Sequence, residues 1–203
     1  MRIRRRALSE SQAELLNSDI GTAITAKGVE GRICGEACTM KCPSCGSMQC
    51  QCKCSPYCPE APRKLSSDPE RHPIEPLIAP LVFEMKRTGF FEPCWSCEGH
   101  NAPDGSLQKP PRVWFNCSSM VHVRLLANSI ASMSANKVLR HPWHLVVTFS
   151  DADNPETTFS LEPKLAEGQL PPLAELQSDV SVLVRALQFS MRDEARSLQT
   201  ALS

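Results

Sequence analysis

The stretch "GFFEPCWSCEGHNAPDGSLQKPPRVWFNC", residues 89 to 117, decides how the larger part of this chain folds. Its two ends, "GFFEPCWSC" and "RVWFNC", are rich in aromatic residues and read as strands. The "NAPDGSLQKPP" between them carries an Asp-Gly turn signal, which predicts an antiparallel pair joined by a long loop. Upstream, Ile74, Leu77, Ile78, Leu81, Val82 and Met85 recur at helical spacing, and Gly89 follows as a stop signal. Pro73 and Pro76 suit a first turn, whereas Pro80 must kink this helix or delay its start. Downstream, residues 119 to 137 read as a second helix. "WHLVVTFS" then alternates, with Trp143, Leu145, Val147 and Phe149 on one face, and "DADNPE" turns the chain into a fourth strand, "TTFSLEP". Leu173, Leu176, Val180, Leu183, Val184, Leu187, Met191, Ala195 and Leu198 mark a long C-terminal amphipathic helix. The order α-β-β-α-β-β-α predicts an α+β domain over 74–203, a four-stranded antiparallel sheet carrying helices on one face.

Ahead of that domain the composition changes abruptly. Residues 34 to 58, "CGEACTMKCPSCGSMQCQCKCSPYC", hold eight of the eleven cysteines. The bulky apolar side chains there are Met40, Met48 and Tyr57, and burying them returns only a few kcal/mol. One structural zinc supplies roughly 10–16 kcal/mol. The spacing Cys34-x3-Cys38-x3-Cys42-x2-Cys45-x4-Cys50-x-Cys52-x-Cys54-x3-Cys58 contains "CPSCG", residues 42 to 46, which has the form of a zinc-ribbon knuckle. Two thiolates three residues apart close on one metal, and the glycine lets backbone amides turn toward sulfur. These eight thiolates predict a small metal-binding module over 32–60, with two zinc ions. Several rival chemistries fit parts of the spacing. "CSPYCP" and "CTMKCP" resemble the ending of a ferredoxin cluster motif without its preceding Cys-x2-Cys steps, so an iron–sulfur cluster is the alternative. Cys38-x3-Cys42-x2-Cys45 has radical-SAM spacing, but no repeated βα units follow it. Cys-x-Cys-x-Cys resembles metallothioneins, and a reduced, metal-free tract stays open as well.

Charge and hydropathy limit the remaining classes. The chain has 203 residues with 22 basic and 22 acidic side chains, so no global field draws it to nucleic acid or to a membrane surface. No window approaches ~18 consecutive apolar residues, and no membrane span is expected. The basic start "MRIRRR" is followed by polar sequence rather than an apolar run, so no secretory signal is expected and the cytoplasm is the expected compartment. Thiols stay reduced there, which favours metal over disulfides for clustered cysteines. Residues 1–31 read as a basic segment with a short helix at "SESQAELL", capped by Ser9. Residues 61–73, rich in proline and charge, read as a linker.

A second constellation lies at the end of the first strand. Cys94-x2-Cys97 has thioredoxin spacing, but turn material rather than a helix follows it. Cys94, Cys97 and His100, completed by Cys117 from the adjacent strand, make a CCHC set for a third zinc, provided the strand pair brings all four together. The plain alternative is buried cysteines packed beside Trp95 and Trp114. Histidine does not directly follow Cys97, which excludes a covalent c-type haem. "KRTGFFEPCWSCEGH" also resembles a local pattern of small bacterial cysteine-rich proteins, in which a helix ends in glycine, a strand follows, and a Ser-Cys-x-Gly-His corner closes it. Including "PRVWF" and "TTFSLEP", the resemblance spans about a quarter of the chain. It implies one compact domain beginning near residue 70, and no particular activity.

Other polar residues carry weaker signals. His122 and His144 are expected at the surface or as satisfied core histidines, and Asp151, Asp153 and Asn154 as a hairpin turn. Glu92 and Glu98 flank the cysteines as acid–base candidates. No phosphate loop or catalytic serine motif occurs. The reading favoured by composition and spacing is a non-enzymatic zinc protein that serves as an interaction or adaptor module for a protein or nucleic-acid partner. Nucleic acid would engage "MRIRRR" with Arg32, Lys41, Lys53, Arg63 and Lys64. The alternative is an iron–sulfur or thiol redox protein that uses the cysteine run and Cys94/Cys97.

Overall fold

The computed structural model describes residues 8–26, 56–59, 61–148, 157–166, 168 and 170–202. Cys34, Cys38, Cys42, Cys45, Cys50, Cys52 and Cys54 lie outside the described residues, as do the basic start and the turn at 151–156. In chain order the elements are α1 (Glu10–Thr25), α2 (Ala61–Lys64), α3 (Ala79–Arg87), β1 (Phe91–Cys97), β2 (His100–Asn101), β3 (Leu107–Lys109), β4 (Arg112–Cys117), α4 (Met120–Ala135), β5 (Trp143–Thr148), β6 (Thr158–Pro163) and α5 (Leu173–Leu202). Four strands form one antiparallel sheet in the order β1-β4-β6-β5, and β2 and β3 form a separate short hairpin.

Helix boundaries follow local chemistry. Ser9 caps α1 reciprocally with Gln12: the Gln12 N–H donates to Ser9 Oγ at 3.3 Å and the Ser9 N–H to Gln12 Oε1 at 3.1 Å. α3 begins only at Ala79, later than the apolar spacing from Ile74 predicts. Pro80 sits in its first turn, where no backbone N–H is needed. Ser119 caps α4 through the Val121 N–H at 3.1 Å.

The core lies between the sheet and the helices. Phe91, Val113, Phe115, Phe159 and Leu161 are buried on the inner sheet face, with Phe91 and Phe115 meeting edge-on at 5.1 Å and Phe115 lying 5.7 Å from Phe159. Opposite them runs the α5 stripe Leu176, Val180, Leu183, Val184, Leu187 and Met191, all buried. α5 packs on α1, α3 and α4, so it serves as the spine of the helical layer. α1 contributes Ile20 and Ala23 to the same core. Residues preceding the cysteine run therefore build this domain together with residues following it.

The stretch read as a linker also has fixed contacts. Ala61 is buried, Leu65 and Ile74 pack on the core, and the Ile74 N–H donates to the Pro62 carbonyl at 2.9 Å. One strand departs from its alternation. Trp143 is buried and Leu145 packs on the core, but Val147 is 54% exposed at the far end of β5, which among the described residues is an edge strand paired with β6 alone. Across the domain, the buried Asp179 carboxylate accepts from the Arg140 N–H (2.8 Å), the His141 N–H (3.0 Å) and the Trp143 indole (3.3 Å), tying the turn before β5 to α5. Among the described residues no helix is long and apolar enough to cross a membrane.

Candidate metal centre at the end of the first strand

β1 and β4 pair as their composition predicts, but the register is broken. Phe91, Glu92 and Pro93 face Cys117, Asn116 and Phe115, whereas Trp95, Ser96 and Cys97 face Trp114, Val113 and Arg112. Cys94 is left without a partner, as the extra residue of a β-bulge. Pro93, which has no N–H to give the ladder, stands beside it. Beyond the bulge Trp95 meets Trp114 across the strands, with ring centroids 4.9 Å apart.

This register separates the four residues of the CCHC set. Cys117 lies opposite Phe91 and Cys97 opposite Arg112, so five residue steps along β4, about 17 Å, divide Cys117 from the Cys97 end. There Cys117 Sγ donates to the Ser119 carbonyl at 3.3 Å, and burial pushes its thiol pKa up. Cys94 is exposed on the bulge and Cys58 is half-buried. What the fold does bring together is Cys97, His100 and Glu75, whose donor atoms all lie within 4.8 Å of one another.

Each of the three is placed by its local backbone. Cys97 closes β1, His100 opens β2, and Glu98-Gly99 turns between them. Gly99 has φ +88°, and a Cβ there would stand 2.5 Å from Leu173 Cδ1 and 3.0 Å from the Pro111 nitrogen. Its N–H points at Cys97 Sγ at 3.4 Å. Glu75 comes from the loop before α3 and is clamped to the corner: the Glu98 N–H donates to Glu75 Oε2 at 2.6 Å, and the Leu77 N–H to Glu98 Oε2 at 2.8 Å. The free oxygen, Oε1, lies 2.9 Å from His100 Nε2. A groove of about 960 Å³ opens over the cluster, with Asp68, His72 and Cys94 also on its walls.

Electrostatics restrict what the thiols do. Cys97 is only 4% exposed, and burial is the main cause pushing its pKa up. The Gly99 N–H opposes that rise, the Glu75 carboxylate adds to it, and Lys109 and Arg112 offset it. Burial pushes Cys94 up as well. A dithiol redox pair needs its first thiol acidic, at a helix N-terminus or beside cations, and Cys94 on a strand bulge has neither.

Of the remaining candidates, Glu98 clamps the corner and Glu92 is exposed on β1. His122 is buried and stacks on Phe90 with centroids 4.0 Å apart; its Nε2 lies 3.1 Å from the Asp19 carbonyl, while its buried Nδ1 has no hydrogen-bond partner among the described residues. His144 lies 3.9 Å from Glu162 on the outer sheet face. No family model matches the chain, and no curated protein or solved structure is significantly similar to it. Glu75 carries little signal in the sequence beyond its position between two prolines, Pro73 and Pro76.

Proposed function

We propose that this chain is a zinc-binding interaction module, in which the cysteine run from Cys34 to Cys58 folds around two zinc ions and engages a protein partner. The observation that carries this reading is eight cysteines within twenty-five residues that hold only three bulky apolar side chains. Thiolate–metal bonds replace the missing core. The balance of 22 basic against 22 acidic residues favours a protein over a polyanion as partner. The raised thiols of Cys94 and Cys97 speak against dithiol redox chemistry.

The test is elemental analysis and a visible spectrum of the full chain purified without oxygen, beside the double variant Cys42→Ser/Cys45→Ser. A colourless protein holding two to three zinc ions, with loss of zinc in the variant, is the expected result. Brown protein containing iron and inorganic sulfide overturns the reading, and so does a reduced chain that holds no metal. Retention by immobilised nucleic acid with a steep salt dependence overturns the choice of partner.

A further inference from the structure

We infer that Glu75, Cys97 and His100 form a separate site for one zinc-class divalent cation, bound by three protein ligands with a fourth coordination position open to the groove. It extends the zinc reading to the α+β domain but stands on different residues, and it holds whether or not the cysteine run binds metal.

The donor set is the first ground. A thiolate, an imidazole nitrogen and a carboxylate oxygen are the ligand types zinc takes, and three protein ligands plus an exchangeable fourth is the pattern of an open rather than a closed site. The three converge from distinct segments: the loop before α3, the end of β1 and the start of β2. Tetrahedral ligands at about 2.0–2.3 Å from a metal stand roughly 3.3–3.7 Å from one another. The observed donors, with 2.9 Å between Glu75 and His100 and no pair beyond 4.8 Å, reach that arrangement through shifts of about 1 Å.

The supporting hydrogen bonds are the second ground. Glu98 N–H holds one Glu75 oxygen and leaves Oε1 for the cation, while Gly99 N–H supports the Cys97 sulfur at 3.4 Å. Such outer contacts orient ligands and are part of a working metal site. The close contact between His100 Nε2 and Glu75 Oε1 is where the cation takes the place of a proton. On binding, a neutral His100 with its proton on Nδ1 offers the Nε2 lone pair, and Cys97 gives up its thiol proton to solvent. One carboxylate and one thiolate then neutralise a 2+ ion, so the partly buried centre carries no net charge.

The same three residues do not assemble a nucleophilic triad. His100 Nε2 is turned to Glu75, no hydrogen bond joins the Cys97 thiol to the imidazole, and Cys97, a residue only 4% exposed, is poorly placed to attack a substrate carbonyl. The open coordination position faces the groove instead, where a water or an anionic ligand completes the shell.

The experiment uses the full chain, stripped of metal by chelation and reloaded with Co2+ without oxygen, followed by titration with azide. Part of the visible ligand-field spectrum shifts on adding azide, because only a site with an exchangeable position responds. That component disappears in His100→Ala and in Glu75→Gln, with loss of about one bound cobalt, and it persists in Cys42→Ser/Cys45→Ser. His100 is 44% exposed on its side chain, so its removal leaves the core intact, and an unchanged far-UV circular dichroism spectrum checks this. An azide-insensitive wild type overturns the inference. So does an azide response or a cobalt content that His100→Ala and Glu75→Gln leave unaltered. Loss of the azide-responsive component in Cys42→Ser/Cys45→Ser overturns it too, because the responsive cobalt then sits in the cysteine run, whereas loss of azide-insensitive cobalt alone in that variant is the result expected when the two sites are separate.

Discussion

Replacing Gly99 by alanine tests whether the corner that carries Cys97 and His100 is as tightly built as its geometry indicates. The backbone there has φ +88°, a conformation that costs a residue with a Cβ about 1–2 kcal/mol. The new methyl also meets Leu173 Cδ1 at 2.5 Å and Pro111 Cδ and N at 3.0 Å. Leu173 is half-buried at the first turn of α5 and can swing aside, but the Pro111 ring and main chain cannot move independently. Overpacking of that kind adds about 1–3 kcal/mol. The entropy that alanine removes from the unfolded chain returns about 0.4–1 kcal/mol. The net loss is therefore about 1–5 kcal/mol, centred on about 3, which at the centre lowers the melting temperature by roughly 6–12 °C for a chain of this size.

Gly105 supplies the control. It has nearly the same φ, +85°, but a Cβ there meets nothing within 4 Å. Gly105→Ala thus carries the conformational cost without the collision, and about 0.5–1 kcal/mol is expected. Urea denaturation of both variants and the wild type measures the difference directly. If Gly99→Ala and Gly105→Ala lose the same stability, the contact with Pro111 and Leu173 does not constrain the corner, and the claim that the Cys97–His100 turn is preorganised fails with it.

Asp179→Ala removes the acceptor of two main-chain N–H groups and an indole N–H in a site 1% exposed, so a loss of about 3–5 kcal/mol is expected. Asp179→Asn, which keeps one carbonyl oxygen, should lose about half as much; a neutral Asp179→Ala in urea melts would refute the anchoring role. The half-buried Cys117 thiol gives a pH dependence. Its folded pKa is raised, chiefly by burial, with the Asp19 carboxylate adding to the rise. The unfolded chain therefore loses the proton first, the folded state binds more protons, and stability falls as pH rises past about 8.5, the ordinary thiol value. The wild type should lose stability relative to Cys117→Ala between neutral pH and that alkaline window, and parallel stability curves for the two proteins would count against this.

Local periodicity made most of the fold legible. The strand β4 matches its aromatic run residue for residue, and the α5 stripe packs where its spacing places it. α1 was visible as a capped helix, but Ile20 and Ala23 give no sign in the sequence that they join a core built some sixty residues later. Glu75 is similar: its role depends on the Glu98 and Leu77 hydrogen bonds, which join positions more than twenty residues apart. Such pairings are set by tertiary packing, and no local pattern encodes them.

The residue that most changes the reading of the site is the unpaired Cys94. A regular ladder continuing from Pro93 opposite Phe115 would set Trp95 against Val113 and turn Trp95 and Cys97 toward the core, because side chains alternate with a period of two. The single extra residue reverses that. Trp95 stands against Trp114 and Cys97 against Arg112, on the face away from Val113. Trp95 is accordingly 44% exposed. The inward position passes to Ser96, and the Cys97 sulfur moves to the end of the strand where Glu75 and His100 wait. The Phe91–Cys117 pairing ahead of the bulge already keeps Cys117 at the opposite end of the strand pair from Cys97, with or without the extra residue. The bulge sets the face on which Cys97 leaves the strand, and so delivers it, with His100, to a carboxylate that spacing alone does not reveal.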